Sequence, residues 1–324
     1  FRRDRNEETM EVACGSCLGC RLDRSRMWAM RIVHESHLHQ STGSNCFVTL
    51  TYREERDATP QQKRGGFFVP YDWSLNPDHF RDFMKRLRKF FSPQRIRFYH
   101  CGEYGNRCKH GLDLRYIKCP GGCRFGRPHY HACLFNCTFH DLESYDSSNG
   151  VLRYTSPTLE RIWKYGFVDV GELNFESAAY VARYVLKKVD GKKALDYYLV
   201  FLDDGTGVYL HPEYSTMSRG YRCVEHRGLP VRPLDCNACT GGIGEGWFRE
   251  FRDDVFPSDE VPVAGSGVFK KVPRYYEELF KLTNPLTLEE IKEVRKKFRA
   301  EHEEDYTPAR LMDKYKVKKA QVEM

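Results

Sequence analysis

No stretch of the 324-residue chain is apolar over a membrane-spanning length, and no signal peptide is visible. There is no Gly-x-x-x-x-Gly-Lys-Ser/Thr loop, which argues against a fused helicase, and no internal repeat. Position 1 is Phe rather than an initiator Met, so the chain is expected to be truncated or processed at its N-terminus. A disulfide framework is a poor fit. The 13 cysteines are odd in number and lack an export signal, which points to a reducing cytosol and to thiol or metal chemistry. Net charge is only +7, but the cations cluster: Arg81, Lys85, Arg86, Arg88 and Lys89; Lys187, Lys188, Lys192 and Lys193; Lys314, Lys316, Lys318 and Lys319. With 20 Tyr and 21 Phe interleaved, such clusters suit single-stranded nucleic acid, although solvated helix faces give the same pattern.

Chemistry enters at Pro128-His129-Tyr130-His131-Ala132-Cys133-Leu134-Phe135, which reads as a buried strand. Alternate side chains of a strand share a face, so His129 and His131 point the same way and Tyr130 the other. Both imidazoles could then reach one metal ion. Downstream, Tyr180-Val181-Ala182-Arg183-Tyr184 places two phenols one helical turn apart. Each pattern alone also fits ordinary packing; together they equip a site to cut a nucleic-acid strand and hold its end.

Further motifs join these in order. Cys14-Gly15-Ser16-Cys17-Leu18-Gly19-Cys20-Arg21-Leu22-Asp23 precedes Ser25-Arg26-Met27-Trp28-Ala29, then come Phe47-Val48-Thr49-Leu50-Thr51-Tyr52 and Cys101-Gly102-Glu103-Tyr104-Gly105. With Arg127 to His131 and Ala179 to Lys188, the set resembles the HUH superfamily of rolling-circle replication endonucleases, in the form found in gokushovirus-type (Microviridae) phages. The likeness covers roughly residues 12 to 190. It implies an antiparallel ferredoxin-like or RRM-like sheet, Tyr180 and Tyr184 as nucleophiles, and Glu103 as the acidic partner of His129 and His131. It also implies Mg²⁺ or Mn²⁺ as the catalytic ion, origin DNA (single-stranded or supercoiled) as substrate, host polymerase and helicase as partners, and the host bacterial cytoplasm as the setting. Lys187 and Lys188, with Arg127, are the candidate DNA-binding cations; a helix C-terminal cation pair is the other role open to the lysines.

The chain departs from that pattern by a long segment between Glu103 and His129 containing Cys108, His110, Cys119 and Cys123. These four either hold structural zinc or sit in a loop of free thiols. Cys14, Cys17 and Cys20, joined by Cys236 and Cys239, are expected to complete a second zinc site between the chain's ends, with unliganded thiols as the alternative.

Spacing predicts helices from Leu22 to His39 (Trp28, Ile32 and Glu35 on one side), from Pro77 with Asn76 as cap, from Pro157 to Trp163, and from Ser177 to about Lys188. Strands are expected over Phe47–Tyr52, Arg95–Cys101 leading into a turn at Gly102–Gly105, and Phe167–Leu173. Glu54–Gly66 reads as an exposed loop, and Thr287 to Glu290 as a capping box opening a helix through Arg299. The fold class is α+β: a Cys-rich segment over 1–21, an endonuclease domain over 22–190, and an accessory C-terminal region over 191–324. Two competing readings remain at this point: a two-tyrosine transposase or plasmid replication protein, and a zinc-stabilised DNA-binding module without enzymatic activity.

Overall fold

The computed structural model describes residues 14–15, 17–40, 45–57, 59–60, 67–146, 153–184, 188–189, 191–227, 236, 239–263 and 268–323. The α+β expectation holds. An open antiparallel sheet, rather than a closed barrel, carries helices on both faces.

Strand β1 (Asn45–Tyr52) lies at the centre because both its faces are covered or partly covered: Cys46, Val48, Leu50 and Tyr52 are buried on one side, while Phe47, Thr49 and Thr51 are half-buried on the other. It pairs with β3 (Pro128–Phe135) and with β6 (Gly166–Gly171). Outward from β3 lie β2 (Arg97–Tyr104) and β9 (Tyr214–Met217). Outward from β6 lie β5 (Arg153–Thr155) and β4 (Glu143–Asp146), giving the order β4-β5-β6-β1-β3-β2-β9. The sheet therefore extends past residue 190, since β9 pairs with β2.

One face is closed by α2 (Pro77–Phe90) and α3 (Pro157–Trp163). Asn76 caps α2 by accepting the Asp78 N–H at 3.0 Å, and Ser156 caps α3 by accepting the Leu159 N–H at 3.1 Å. Phe80, Phe83, Met84 and Leu87 of α2 bury the expected stripe against Leu50, Tyr52, Tyr130 and Leu134. The opposite face receives α1 (Leu18–His37) and α4 (Phe175–Arg183), whose Ile32, Val33, Ala178 and Val181 pack on Tyr99, Cys101, Cys133 and Phe135. Two helix limits differ from expectation. α1 starts four residues before Leu22, and α4 ends at Arg183 with Tyr184 as its cap rather than running to Lys188.

Glu54 also departs from the exposed loop assigned to it: it is buried and paired with Arg127. A second core forms beyond the sheet. α6 (Glu245–Ser258), the hairpin β10 (Glu260–Val263) and β11 (Val268–Lys271), α7 (Arg274–Lys281) and α8 (Pro285–Glu301) gather Phe248, Phe256, Val261, Tyr276 and Phe280. The anticipated capping box is absent because Pro285 takes the first helical position, which leaves Thr287 inside α8. Met30 and His34 bring α1 into this core. The His34 ring stacks 3.7 Å from Trp247, and its Nδ1 lies 3.0 Å from the Tyr276 hydroxyl. α1 thus serves two cores at once.

Burial holds the His34 imidazole down to about 4. It likewise holds His100, stacked 3.5 Å from Phe80, down to about 3. Both rings stay neutral in the folded chain while the unfolded chain protonates them below about 6.5. Their stabilising contribution is complete above that pH and is lost as pH falls. The expected loss from the pair is about 3 kcal/mol by pH 5.5. Urea unfolding at pH 7.5 and 5.5 tests this; equal stability at the two values would contradict the buried neutral state.

Candidate active site

Register builds the site. Glu103 of β2 stands directly opposite His129 of β3, and His131 stands opposite Thr49 of β1. Directly opposed residues of antiparallel strands project to the same face. Phe167, Thr51, His129 and Glu103 consequently form one row across four strands, with Asp169, Thr49, His131 and Cys101 in the next. Tyr130 points the other way, as expected, its hydroxyl 2.7 Å from that of Tyr52.

Glu103 lies within its strand and not in the turn assigned to it. The hairpin continues past it: the Gly105 N–H donates to the Arg127 carbonyl at 3.0 Å, and the Arg127 N–H to the Arg107 carbonyl at 2.9 Å. Gly126 permits that approach, since a Cβ there would fall 2.1 Å from the Gly105 carbonyl oxygen. The long insertion therefore begins beyond the metal-ligand candidates and leaves their spacing intact.

One carboxylate oxygen receives both rings. His129 Nε2 is 2.8 Å and His131 Nε2 2.9 Å from Glu103 Oε1. The remote nitrogens are also engaged, His129 Nδ1 at 3.1 Å from the Arg127 carbonyl and His131 Nδ1 at 2.9 Å from Thr49 Oγ1. A carbonyl only accepts, so His129 must carry its proton on Nδ1. In the neutral ring the Nε2 lone pair then faces a carboxylate oxygen, an arrangement that calls for a cation or a proton between them. Burial alone would raise the Glu103 carboxyl, but the hydrogen bonds from His129 and His131 outweigh it and hold the group well below the usual range. Two oriented imidazoles and an ionised carboxylate fit a divalent metal ion, and the three ligand atoms lie within 4.8 Å of one another.

α4 brings both phenols to this cluster. Asn174 and Ser177 form a reciprocal cap that fixes where the helix starts, and so which residues face the sheet. The Tyr180 ring lies 5.0 Å from that of His131, edge-on, and the Tyr184 ring is stacked at 5.6 Å; the two phenols are 5.0 Å apart. Tyr184 is 6% exposed and Tyr180 more open. Burial, followed by the Glu103 charge, raises both phenols above their ordinary value. Arg183 opposes this at Tyr180.

Other candidates are placed differently. Arg127 pairs with Glu54, and its Nη1 donates to the Tyr52 carbonyl at 3.3 Å. Lys187 lies outside the described residues. Lys188 accepts through its backbone carbonyl from Arg21 at 3.1 Å. The basic side of α2 sits on the sheet face opposite the histidines. Arg86 there is spent on the Ile162 and Trp163 carbonyls, while Arg81 and Lys85 pair with Asp78 and Asp82. Beside the histidines themselves, Phe167 is 45% exposed with the Arg53 guanidinium 5.0 Å from its ring. Neither residue was singled out from the sequence, where an exposed aromatic on a strand resembles any other.

The cysteines sort into three clusters. Cys108, His110, Cys119 and Cys123 converge, His110 Nδ1 lying 3.2 Å from Cys119 Sγ and 3.3 Å from Cys123 Sγ. Cys14, Cys17 and Cys20 form their own exposed group. The expected union of that group with Cys236 and Cys239 does not occur; those two meet Cys223 and His226 instead. Sequence spacing within each Cys-x-x-Cys pair was visible, whereas which pairs meet is a matter of topology.

Comparison with known proteins agrees with this geometry. The family model for the phage replication-associated protein ORF2 matches residues 45–189. The replication-associated protein ORF2 of Spiroplasma virus 4 is 31% identical over 294 residues, covering 88% of this chain and 73% of that protein. The chain belongs to the phage replication-associated proteins. Replication-associated protein VP4 of Bdellovibrio phage phiMH2K is 26% identical over 84% of the chain and 68% of its own length. Replication-associated protein ORF4 of Chlamydia phage 1 is 30% identical over 55% of the chain and 38% of its own length. No solved structure matches.

Because Thr49 orients His131 through Nδ1, Thr49→Val is expected to weaken Mn²⁺ binding about 10- to 100-fold with little change in folding. Calorimetric titration measures this. Unchanged affinity would remove Thr49 from the site.

Proposed function

We propose that this phage replication-associated protein is a metal-dependent, site-specific single-strand DNA endonuclease and ligase that initiates rolling-circle replication of a small circular genome. The placement of both phenols against the His131 ring, beside the Glu103–His129–His131 cluster, carries the reading. It also disfavours the non-enzymatic zinc module, which leaves the tyrosines without a task. The phage relatives favour replication over transposition.

Glu103, His129 and His131 would hold Mg²⁺ or Mn²⁺, which when bound supplies Lewis acidity at a phosphate oxygen. The reaction itself belongs to the chain's own residues. The Tyr180 oxygen attacks the origin phosphorus, the bond to the 3′-oxygen breaks, and a 5′-phosphotyrosine forms. The phenolic proton ends on the released 3′-OH, and Arg183 favours the charge that develops on Tyr180 meanwhile. One phosphodiester is exchanged for another, so no ATP is needed. Tyr180, the more open of the two, is assigned the first cut. Tyr184 then cleaves the regenerated origin after one circuit, and the new 3′-OH attacks the first link to close the circle.

The freed 3′-OH would prime the host polymerase, with a host helicase opening the duplex, in the host bacterial cytoplasm. Residues 22–190 carry the chemistry in this reading, residues 1–21 a Cys-rich lead, and residues 191–324 an accessory role. Cys108, His110, Cys119 and Cys123 would hold structural Zn²⁺ within the hairpin insertion. Beside the histidines, Phe167 and Arg53 supply a stacking surface and a cation for the incoming single strand, and Lys187, Lys188 and Arg127 remain candidates for its phosphates.

A Tyr180→Phe/Tyr184→Phe double variant is expected to bind origin single strands normally yet give no covalent protein–DNA band on denaturing gels; an adduct from it would refute the nucleophile assignment. Phe167→Ala is expected to weaken single-strand binding by about 1–3 kcal/mol in fluorescence anisotropy. Wild-type affinity in that variant would move the DNA path elsewhere.

A further inference from the structure

Four donors outside the candidate active site meet where the sheet joins the C-terminal core. Cys223 Sγ is 3.0 Å from His226 Nδ1, 3.8 Å from Cys236 Sγ and 3.5 Å from Cys239 Sγ, and Cys239 Sγ is 3.7 Å from His226 Nδ1. With Zn–S near 2.3 Å and Zn–N near 2.0–2.1 Å, tetrahedral donors lie about 3.5–3.8 Å apart. The observed separations cluster about that range. All three thiols are free of disulfides. The Cys223 N–H donates to Cys239 Sγ at 3.2 Å, as backbone amides do toward a thiolate ligand.

The surroundings separate this group from ordinary buried thiols. Cys46, Cys133 and Cys137 lie in the apolar cores, nearly or fully inaccessible. Cys223, His226 and Cys236 are only partly buried, so apolar burial does not account for their convergence.

We propose that Cys223, His226, Cys236 and Cys239 form a structural Zn²⁺ site that fastens the C-terminal core to the edge of the catalytic sheet. Three thiolates and one neutral imidazole balance the ion to a net charge of −1, with three thiol protons released on binding. Soft sulfur donors with one ring nitrogen select zinc over the hard cations suited to Glu103 and the two histidines.

What the ion would fasten is visible on either side. Before the cluster, β9 pairs with β2, the strand that carries Glu103, and the Ser218 N–H donates to the Phe98 carbonyl at 2.8 Å. Across it, Tyr221 and Thr240 exchange backbone hydrogen bonds of 2.8 and 2.9 Å. After it, the chain is caught by side chains of β2 and α1. Arg97 donates to the Gly241 carbonyl at 2.8 Å, Arg31 to the Ile243 carbonyl at 2.9 Å, and Glu35 accepts the Gly244 N–H at 2.7 Å. Closing Cys223 onto Cys239 holds these two attachments in one loop.

Two measurements on the full chain test this. Zinc content by mass spectrometry, after reconstitution with ZnCl₂ and desalting, is expected to fall by one equivalent in Cys223→Ser/Cys239→Ser relative to wild type. Unchanged stoichiometry would overturn the site. Should that variant fail to fold, wild-type protein decides by itself. Native alkylation with N-ethylmaleimide, read peptide by peptide, should leave Cys223 and Cys236 protected until 1,10-phenanthroline is added, then modify them at least tenfold faster. Modification of both at the denatured-protein rate before chelation would refute the proposal. The positional readout separates this cluster from Cys108, Cys119 and Cys123, and neither measurement depends on DNA cleavage.

Discussion

The pairing of β2 with β3 sets what this molecule can do. Register places Glu103 opposite His129, with His131 two residues further along the same face, so that two imidazoles share one carboxylate oxygen. A slip of one residue would send Glu103 to the α2 side, among Phe80 and Tyr130, where an ionised carboxylate has no partner. The register is held from both directions. β1 locks β3 along seven paired positions, and Gly126 lets the hairpin close tightly beyond the ligand candidates. The insertion that follows can thus carry its own Cys and His cluster without displacing the metal-ligand candidates.

A second constraint is the sharing of α1. One side of it packs on the sheet face that bears the candidate site, while Met30 and His34 enter the C-terminal core. Glu35 of the same helix, fully buried, binds Arg97 of β2 at 2.7 Å and the backbone of Gly244. α1 and α4 together cover the rows that hold Cys101, Cys133 and Phe135, which leaves the row of Phe167, Thr51, His129 and Glu103 toward the rim. That arrangement supports a reading in which a strand of DNA approaches along the rim and meets the phenols from α4.

Much of this was legible in the chain. Strand parity alone put His129 and His131 on one face, the turn spacing of Tyr180 and Tyr184 put them on one helix side, and Asn76 and Ser156 marked helix starts where the caps are found. What failed had physical reasons. Gly102 and Gly105 made Glu103 look like part of a turn. Gly102 is small for packing instead, because a Cβ there would meet the Tyr214 ring at 2.8 Å. Helical periodicity identified the basic side of α2 but not the sheet face on which it lies. Cys223 and His226 were missed because their partners are fixed by how β9 and α6 are connected, and no local spacing carries that information. Thr49 lay within a recognised motif, yet its role follows only from standing across from His131.

The central claim is that a phenol of α4 becomes bonded to DNA under control of the Glu103–His129–His131 cluster. Mass spectrometry of tryptic peptides tests it most directly, after incubation with Mn²⁺ and single-stranded oligonucleotides tiling the phage replicon. Trypsin cuts between Arg183 and Tyr184, so the two nucleophiles fall on separate peptides. The account predicts a nucleotide mass on the Tyr180 peptide first, and none on either peptide in His131→Ala. An adduct on neither peptide in the wild-type chain, or undiminished adduct in His131→Ala, would contradict it.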